Sequence, residues 1–171
     1  GVMMQYDPVS SGYTLRGNNT AIIGNNTGYG IYGSGVNKIN IRNITVENYS
    51  TAIGLSDGSA DNQVQNMTLA NSTYGIYLNS SNNNQIRNSN FYSNTYGAYL
   101  LNAAGSSVVS NSTFYSNSYG AYLLNSSGNT FYYNNFTSSA SYHAFANTAG
   151  NYFNTTNGSS CGALCARGNY W

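Results

Sequence analysis

The chain has 171 residues, only 5% of them charged, and a formal net charge of +1. Average soluble domains carry roughly 25% charged residues, so the polar mass here is uncharged, with 30 Asn and 18 Tyr. There is no basic patch to neutralise phosphates, which argues against nucleic acid as a partner, and no window of 18 apolar residues that could cross a membrane as a helix.

The opening stretch GVMMQYDPVSSG carries three large apolar residues, Val2, Met3 and Met4, and no signal-peptide pattern or amphipathic capping helix. Residues 1–12 are therefore expected to be a lead-in or assembly segment of a mature chain or fragment. From residue 13 onward the sequence repeats itself. The phrase YGIYL and its variants start at Tyr29, Thr51, Tyr74, Tyr96, Tyr119 and Tyr142, in steps of 22 or 23 residues. A second run recurs in each unit, as in INIRNITVEN, NQVQNMTLAN and NQIRNSNFYSN.

Alternation puts successive side chains on opposite faces of a strand. Four columns then stay apolar along the repeats: Ile31, Ile53, Ile76, Ala98, Ala121, Ala144; Leu55, Leu78, Leu100, Leu123, Ala146; Ile41, Val64, Ile86, Val109, Phe131; and Val46, Leu69, Phe91, Phe114, Phe136. A period of this length is too short for paired helices and too long for a hairpin. It suits one triangular coil of three short strands, stacked on its neighbours at about 4.8 Å. The predicted fold is all-β: a single-stranded right-handed parallel β-helix of about seven coils over residues 13–153, a rod roughly 30 Å long. Asn43, Asn66, Asn88 and Asn111 recur at one place in the second run. They are read as an asparagine ladder at a turn, stacking amides coil on coil and tolerating a left-handed backbone. At Tyr133 the column falters and Asn134 takes over after a one-residue shift. Residues 154–171 hold Cys161 and Cys165 in CGALC, a spacing that suits a short-range disulfide in an oxidising compartment or, failing that, two thiols. This tail, ending in Trp171, reads as a disulfide-pinned cap or contact segment of the single domain.

The runs GYGIYGSGVNKINIRNITVENYSTAIGL and YGIYLNSSNNNQIRNSNFYSN resemble right-handed β-helix repeats of the pectate-lyase-like superfamily, and more narrowly the NosD-like, carbohydrate-binding-and-sugar-hydrolase type. YTLRGNNTAIIGN is similar to a first coil of that type, and GNYW to its ending. The resemblance implies the fold. It does not single out a function, because it spans polysaccharide lyases and hydrolases, copper-maturation proteins, tailspikes and surface proteins of archaea and bacteria.

Catalysis on such a scaffold would need grouped carboxylates. The chain has four, Asp7, Glu47, Asp57 and Asp61, with Asp57 and Asp61 sharing the loop SDGSADN. That pair reads as a turn, with a bound cation as the alternative. Arg16, Lys38, Arg42, Arg87 and Arg167 are scattered, although Arg42 and Arg87 hold equivalent positions two coils apart. His143, the only histidine, stands where the phrase elsewhere has Gly and reads as solvated or capping. Copper would need soft ligands, and Met3, Met4, Met67, His143 and the cysteines neither recur nor cluster. The expectation is no catalytic residue, no metal and no cofactor.

Tyr32, Tyr77, Tyr99 and Tyr122 form an outward column continued by Phe145 and interrupted by Gly54, and Tyr92 and Tyr115 start another. Such a column can stiffen the sheet, contact another subunit or carry sugar rings. Among the twelve N-x-S/T sequons, Asn25, Asn71, Asn79, Asn125, Asn154 and Asn157 look loop-like and are the glycosylation candidates, while Asn43, Asn66 and Asn111 are expected bare because they belong to the ladder. Open strand edges and a sticky tail suggest head-to-tail self-association, with Val2, Met3, Met4 and Trp171 as contact candidates. The functional expectation is a non-catalytic, glycosylated, extracellular or cell-surface filament or adhesin of archaeal style. Its partners are other copies of itself, N-linked glycans and extracellular polysaccharide. A glycan-binding or tailspike-like module is the alternative, and a lyase or hydrolase comes third.

Overall fold

The computed structural model describes residues 1–5, 12–102, 105–153 and 169, with the side chains of residues 3–5 and 19 outside the description. The described residues contain strands and turns and no helix. In chain order the strands are β1 (Val2–Gln5), β2 (Thr14–Ile23), β3 (Tyr29–Ser34), β4 (Asn40–Glu47), β5 (Thr51–Ser56), β6 (Gln63–Gln65), β7 (Thr68–Ala70), β8 (Tyr74–Asn79), β9 (Gln85–Arg87), β10 (Asn90–Tyr92), β11 (Tyr96–Leu101), β12 (Val108–Ser110), β13 (Thr113–Tyr115), β14 (Tyr119–Leu124), β15 (Thr130–Tyr132), β16 (Asn135–Thr137) and β17 (Tyr142–Ala146).

Every phrase start read from the sequence is the first residue of a strand on one face, stacked in the order β1-β3-β5-β8-β11-β14-β17. The second face stacks the first halves of β2 and β4 with β6, β9, β12 and β15; the third stacks their second halves with β7, β10, β13 and β16. All pairings are parallel, and the register joins each residue to its counterpart one repeat on, such as Ile76 to Ala98 and Val64 to Ile86. The molecule is a parallel β-helix. Seven strands on the first face delimit about six complete turns, one fewer than the expected seven. The lead-in Val2–Gln5 forms the outer strand of this face, Val2 lies opposite Ile31, and Val2 packs against the core. That offset of 29 residues falls outside the repeat period, so the period did not reveal it.

The four apolar columns fill the interior. Ile31, Ile53, Ile76, Leu78, Val64, Leu69, Phe91, Phe114 and Phe136 are all fully buried, and Phe91 stacks on Phe114 at 4.5 Å and Phe114 on Phe136 at 4.6 Å. A buried aromatic or branched side chain contributes roughly 1.5–3 kcal/mol, repeated in every turn.

The corners are polar, and they are where the asparagines go. Asn43, Asn66, Asn88 and Asn111 have φ of 59°, 54°, 54° and 50°, so this column supplies the left-handed backbone that the second corner needs. Its stacked-amide bond is made between Asn66 Nδ2, which donates, and Asn43 Oδ1 (3.2 Å); Asn66, Asn88 and Asn111 are exposed. Tyr133 occupies the next left-handed place at φ 55°.

The hydrogen-bonded ladders run inside the corners, in other columns. At the first corner Asn62 Oδ1 accepts from the Ile39 N–H (3.1 Å), Asn84 Oδ1 from Asn62 (3.1 Å), Ser107 Oγ from Asn84 (3.2 Å), Asn129 Oδ1 from Ser107 (3.2 Å) and Asn151 Oδ1 from Asn129 (3.1 Å). At the second, Ser89, Ser112, Asn134 and Asn169 continue in the same way from Met67. At the third, Ser72, Asn94 and Asn117 continue from Tyr49. Buried backbone donors must find acceptors. Here each coil's inward Asn or Ser supplies one to the coil before it, while the Asn amides donate to carbonyls such as Leu69 and Phe91.

Candidate functional site

The first face is paved with aromatic rings. Its two outward columns read Tyr29, Thr51, Tyr74, Tyr96, Tyr119, Tyr142 and Tyr32, Gly54, Tyr77, Tyr99, Tyr122, Phe145. The second is the column expected from the sequence. The first was in view as the start of each phrase, but its shared face was not recognised, because a spacing of three residues does not follow strict alternation. The two interlock: Tyr74 lies against Tyr99 edge-on at 5.2 Å and Tyr96 against Tyr122 at 5.3 Å.

Along the axis Tyr74 stacks on Tyr96 (5.3 Å, 12°), Tyr96 on Tyr119 (5.0 Å, 13°) and Tyr99 on Tyr122 (5.3 Å, 5°). Rings one strand spacing apart cover one another's faces and turn edges and hydroxyls outward. The coil carrying Thr51 and Gly54 lacks both rings, and Tyr29 takes up the space: a Cβ on Gly54 would stand 2.8 Å from Tyr29 Cε1. Burial, followed by neighbouring tyrosines, raises the hydroxyl pKa of Tyr29, Tyr77, Tyr96 and Tyr99.

A polar groove of about 530 Å³ runs along the corner beside the first tyrosine column. Its walls include Thr73, Thr95 and Ser118, the residues just before Tyr74, Tyr96 and Tyr119, together with Asn71 and Ser116. A row of aromatic edges and hydroxyls therefore borders a trough of hydroxyls and amides, with no charged residue in its lining.

Of the described carboxylates, Asp57 and Asp61 share the loop after β5, and Glu47 lies on another element. Glu47 ends β4 on the third face. Asp57 accepts from Ser34 Oγ (2.6 Å) and Ser56 Oγ (2.8 Å), and these bonds, the Ser34 bond foremost, hold its pKa below the usual value. Asp61 accepts from Asn83 Nδ2. His143 Nδ1 lies 3.1 Å from Ser139 Oγ. Among the described residues no three of His, Cys, Asp or Glu come together.

Of the glycosylation candidates, Asn25, Asn71 and Asn125 are exposed and Asn79 ends β8 half-buried. Asn25 Oδ1 accepts from the hydroxyl of Thr27, the third residue of its own sequon (2.7 Å). Asn154, Asn157, Cys161, Cys165 and Trp171 lie outside the described residues, as do the side chains of Met3 and Met4.

A parallel β-solenoid with one aromatic face and polar corners is the class of molecule that fold and surface define. Over residues 4–171 the chain matches the model of the NosD family, described as periplasmic copper-binding protein, and it belongs to that family. Among solved structures it is similar to the crystal structure of alginate lyase from Paenibacillus sp. str. FPU-7, at 15% identity and a TM-score of 0.49, over 77% of this chain and 78% of that one. No curated protein sequence matches.

Copper favours thiolate, thioether and imidazole ligands. Met67 is buried in the core at 1% exposure, and His143 belongs to no group of three or more His, Cys, Asp or Glu among the described residues. The described residues do not fit a copper site.

Proposed function

We propose that this protein is a non-catalytic β-solenoid working outside the cytoplasm, a structural or adhesive element that holds a neutral polysaccharide along its tyrosine face. The observation that carries this is the alignment of the Tyr74, Tyr96 and Tyr119 row with the hydroxyl-lined groove beside it. Tyr presents rigid, amphipathic contact area at low entropic cost. The face is about 24 Å long and 10–15 Å wide from strand geometry, roughly 300 Å². That is well under the ~800 Å² each partner contributes to a standard protein interface, and it suits one narrow chain. The family's periplasmic description supports the location, and the hydrogen bonds that engage Asp57 with Ser34 and Ser56, and Asp61 with Asn83, support a structural role for these carboxylates.

The test is affinity electrophoresis against a panel of soluble neutral glucans and mannans, with product analysis for new chain ends. Retardation should be lost in a Tyr96→Ala, Tyr119→Ala double variant. No retardation by any neutral polymer, equal retardation of the variant, or cleavage of the polymer would each sink the reading. Because Asn71 lines the groove, a glycan on it would occupy the site, so unglycosylated protein is the material to use.

A second reading, a glycosylated filament built head to tail, is favoured by β1 and β2, whose outer edges pair with no described strand. Open parallel edges invite addition of further strands. Electron microscopy of native material decides it: filaments with an axial repeat near the rod length support assembly, and dispersed short rods refute it.

A further inference from the structure

The third face carries a pair of tyrosines set apart from the paved first face. Its outward column at the strand ends reads Glu47, Ala70, Tyr92, Tyr115, Thr137, each residue in register with the next. Within this column Tyr92 and Tyr115 have only each other as an aromatic neighbour. Their rings stack at 4.9 Å with 13° between the planes, the shortest spacing of the stacked tyrosine pairs among the described residues. Tyr92 is half-buried and Tyr115 is 37% exposed, so the pair is open to a reagent in solution.

The coils on either side fix this geometry. Phe91 stacks on Phe114 in the core beneath the pair, at 4.5 Å and 2°. Ser93 and Ser116 follow the two tyrosines with the same φ of 54°, and the Ser93 N–H donates to the Tyr115 carbonyl (3.3 Å). Folding thus holds two phenols from successive coils one strand spacing apart. A radical formed on either ring finds the other phenol beside it, while Ala70 and Thr137, the next residues along the column, offer no ring.

We propose that Tyr92 and Tyr115 are an oxidative cross-linking site, joined as dityrosine by a one-electron oxidant of the haem-peroxidase and hydrogen-peroxide class. Each ring gives up one electron and its phenolic proton, the proton passing to water. The two radicals pair in a bond between the ring carbons ortho to the oxygens, and the hydrogen on each of those carbons returns to its phenol oxygen. Two hydrogen atoms leave the protein, and one peroxide is reduced to two waters. The new bond ties β10 to β13 and staples two coils together. Neither tyrosine belongs to the first face or lines the groove beside it, so the site does not rest on the polysaccharide reading.

The test exposes the dilute intact chain to a ruthenium tris-bipyridyl photo-oxidant with persulfate, which takes electrons singly, with and without urea. Dityrosine fluorescence, denaturing gels and mass spectrometry of proteolytic fragments read the products. The folded chain should stay monomeric on the gel and yield a fragment pair linked through Tyr92 and Tyr115. That pair should fall about tenfold or more in urea, because only the fold brings the rings together. Tyr115→Phe and Tyr92→Phe keep the stacked ring and should each abolish it; should one misfold, the other carries the test. Tyr119→Phe, on the first face, should leave it unchanged. No dityrosine, coupling between chains only, or as much of the linked pair from the unfolded chain would overturn the proposal.

Discussion

Replacing Asn94 by Ala tests which asparagines hold the coils together. Asn94 is 3% exposed. Its Oδ1 accepts from the Ser72 N–H (3.0 Å), and its Nδ2 donates to the Leu69 carbonyl (3.0 Å) and to Asn117 Oδ1 (3.2 Å). Truncation leaves the buried Ser72 N–H without this acceptor, a loss of about 1–3 kcal/mol. The bond to Leu69 adds about 1 kcal/mol, for a total of about 3 kcal/mol. Asn88→Ala is the comparison. Asn88 is exposed, no side-chain bond of the ladder kind holds it, and its only demand is φ 54°, so the change costs about 1 kcal/mol. Asn94→Ser should fall between, because Ser72 in the same ladder shows that a hydroxyl can accept the bond from the preceding coil. Guanidinium unfolding followed by circular dichroism gives the three midpoints at constant m. If Asn94→Ala costs no more than Asn88→Ala, the inward ladders are not what stabilises the corners, and the account of the fold given above is wrong.

Tyr133 is 56% exposed at φ 55°, where its column elsewhere has Asn, so Tyr133→Asn should stabilise by about 1 kcal/mol; an unchanged or lower midpoint counts against the left-handed reading. Gly97→Ala would put a Cβ 2.6 Å from the Gly120 carbonyl oxygen and 2.7 Å from Phe114 Cδ1, and the coils must part to admit it. A loss of about 3 kcal/mol or more and a clear fall in Tm are expected; a Tm within a degree or two of wild type refutes the close stacking. For the tyrosine face, the folded pKa values of Tyr29, Tyr77, Tyr96 and Tyr99 lie above the unfolded value of about 10. The stability they contribute is then complete below pH 10 and lost as pH rises through the raised values. Ultraviolet titration should show this group ionising above pH 10, with stability falling as it does; its ionisation at pH 10 with unchanged stability contradicts the reasoning.

The parts of this fold that were legible are those where one residue type must recur at one position. A core column admits only apolar side chains, so Ile76, Ala98 and Ala121 announce themselves, and the phrase starts coincide with strand starts. The asparagines were harder because two physical demands select the same residue. Asn43, Asn66, Asn88 and Asn111 repeat because Asn tolerates a positive φ; Asn62, Asn84, Asn94, Asn117 and Asn129 repeat because a buried backbone N–H needs an oxygen above it. The second set is interrupted by Ser72 and Ser107, which do the same work with a hydroxyl, so as letters it looks less regular than the first. Interchangeable chemistry hides a ladder; a uniform conformational demand displays one.

The surface shows the converse. Tyr32, Tyr77, Tyr99 and Tyr122 were visible as a column, but the companion column three residues earlier was not, because the backbone between them departs from alternation at Gly75, Gly97 and Gly120. A Cβ at each of these would strike the carbonyl oxygen of the next coil at 2.4–2.6 Å. His143 can stand in the same column because β17 is the last described strand of that face, with no described strand stacked beyond it. The glycines therefore do more than permit close stacking. By bringing both tyrosine columns onto one face they create the paved surface, and the same residues that fix the spacing between coils fix the roughly 5 Å repeat that any ligand of that face must match.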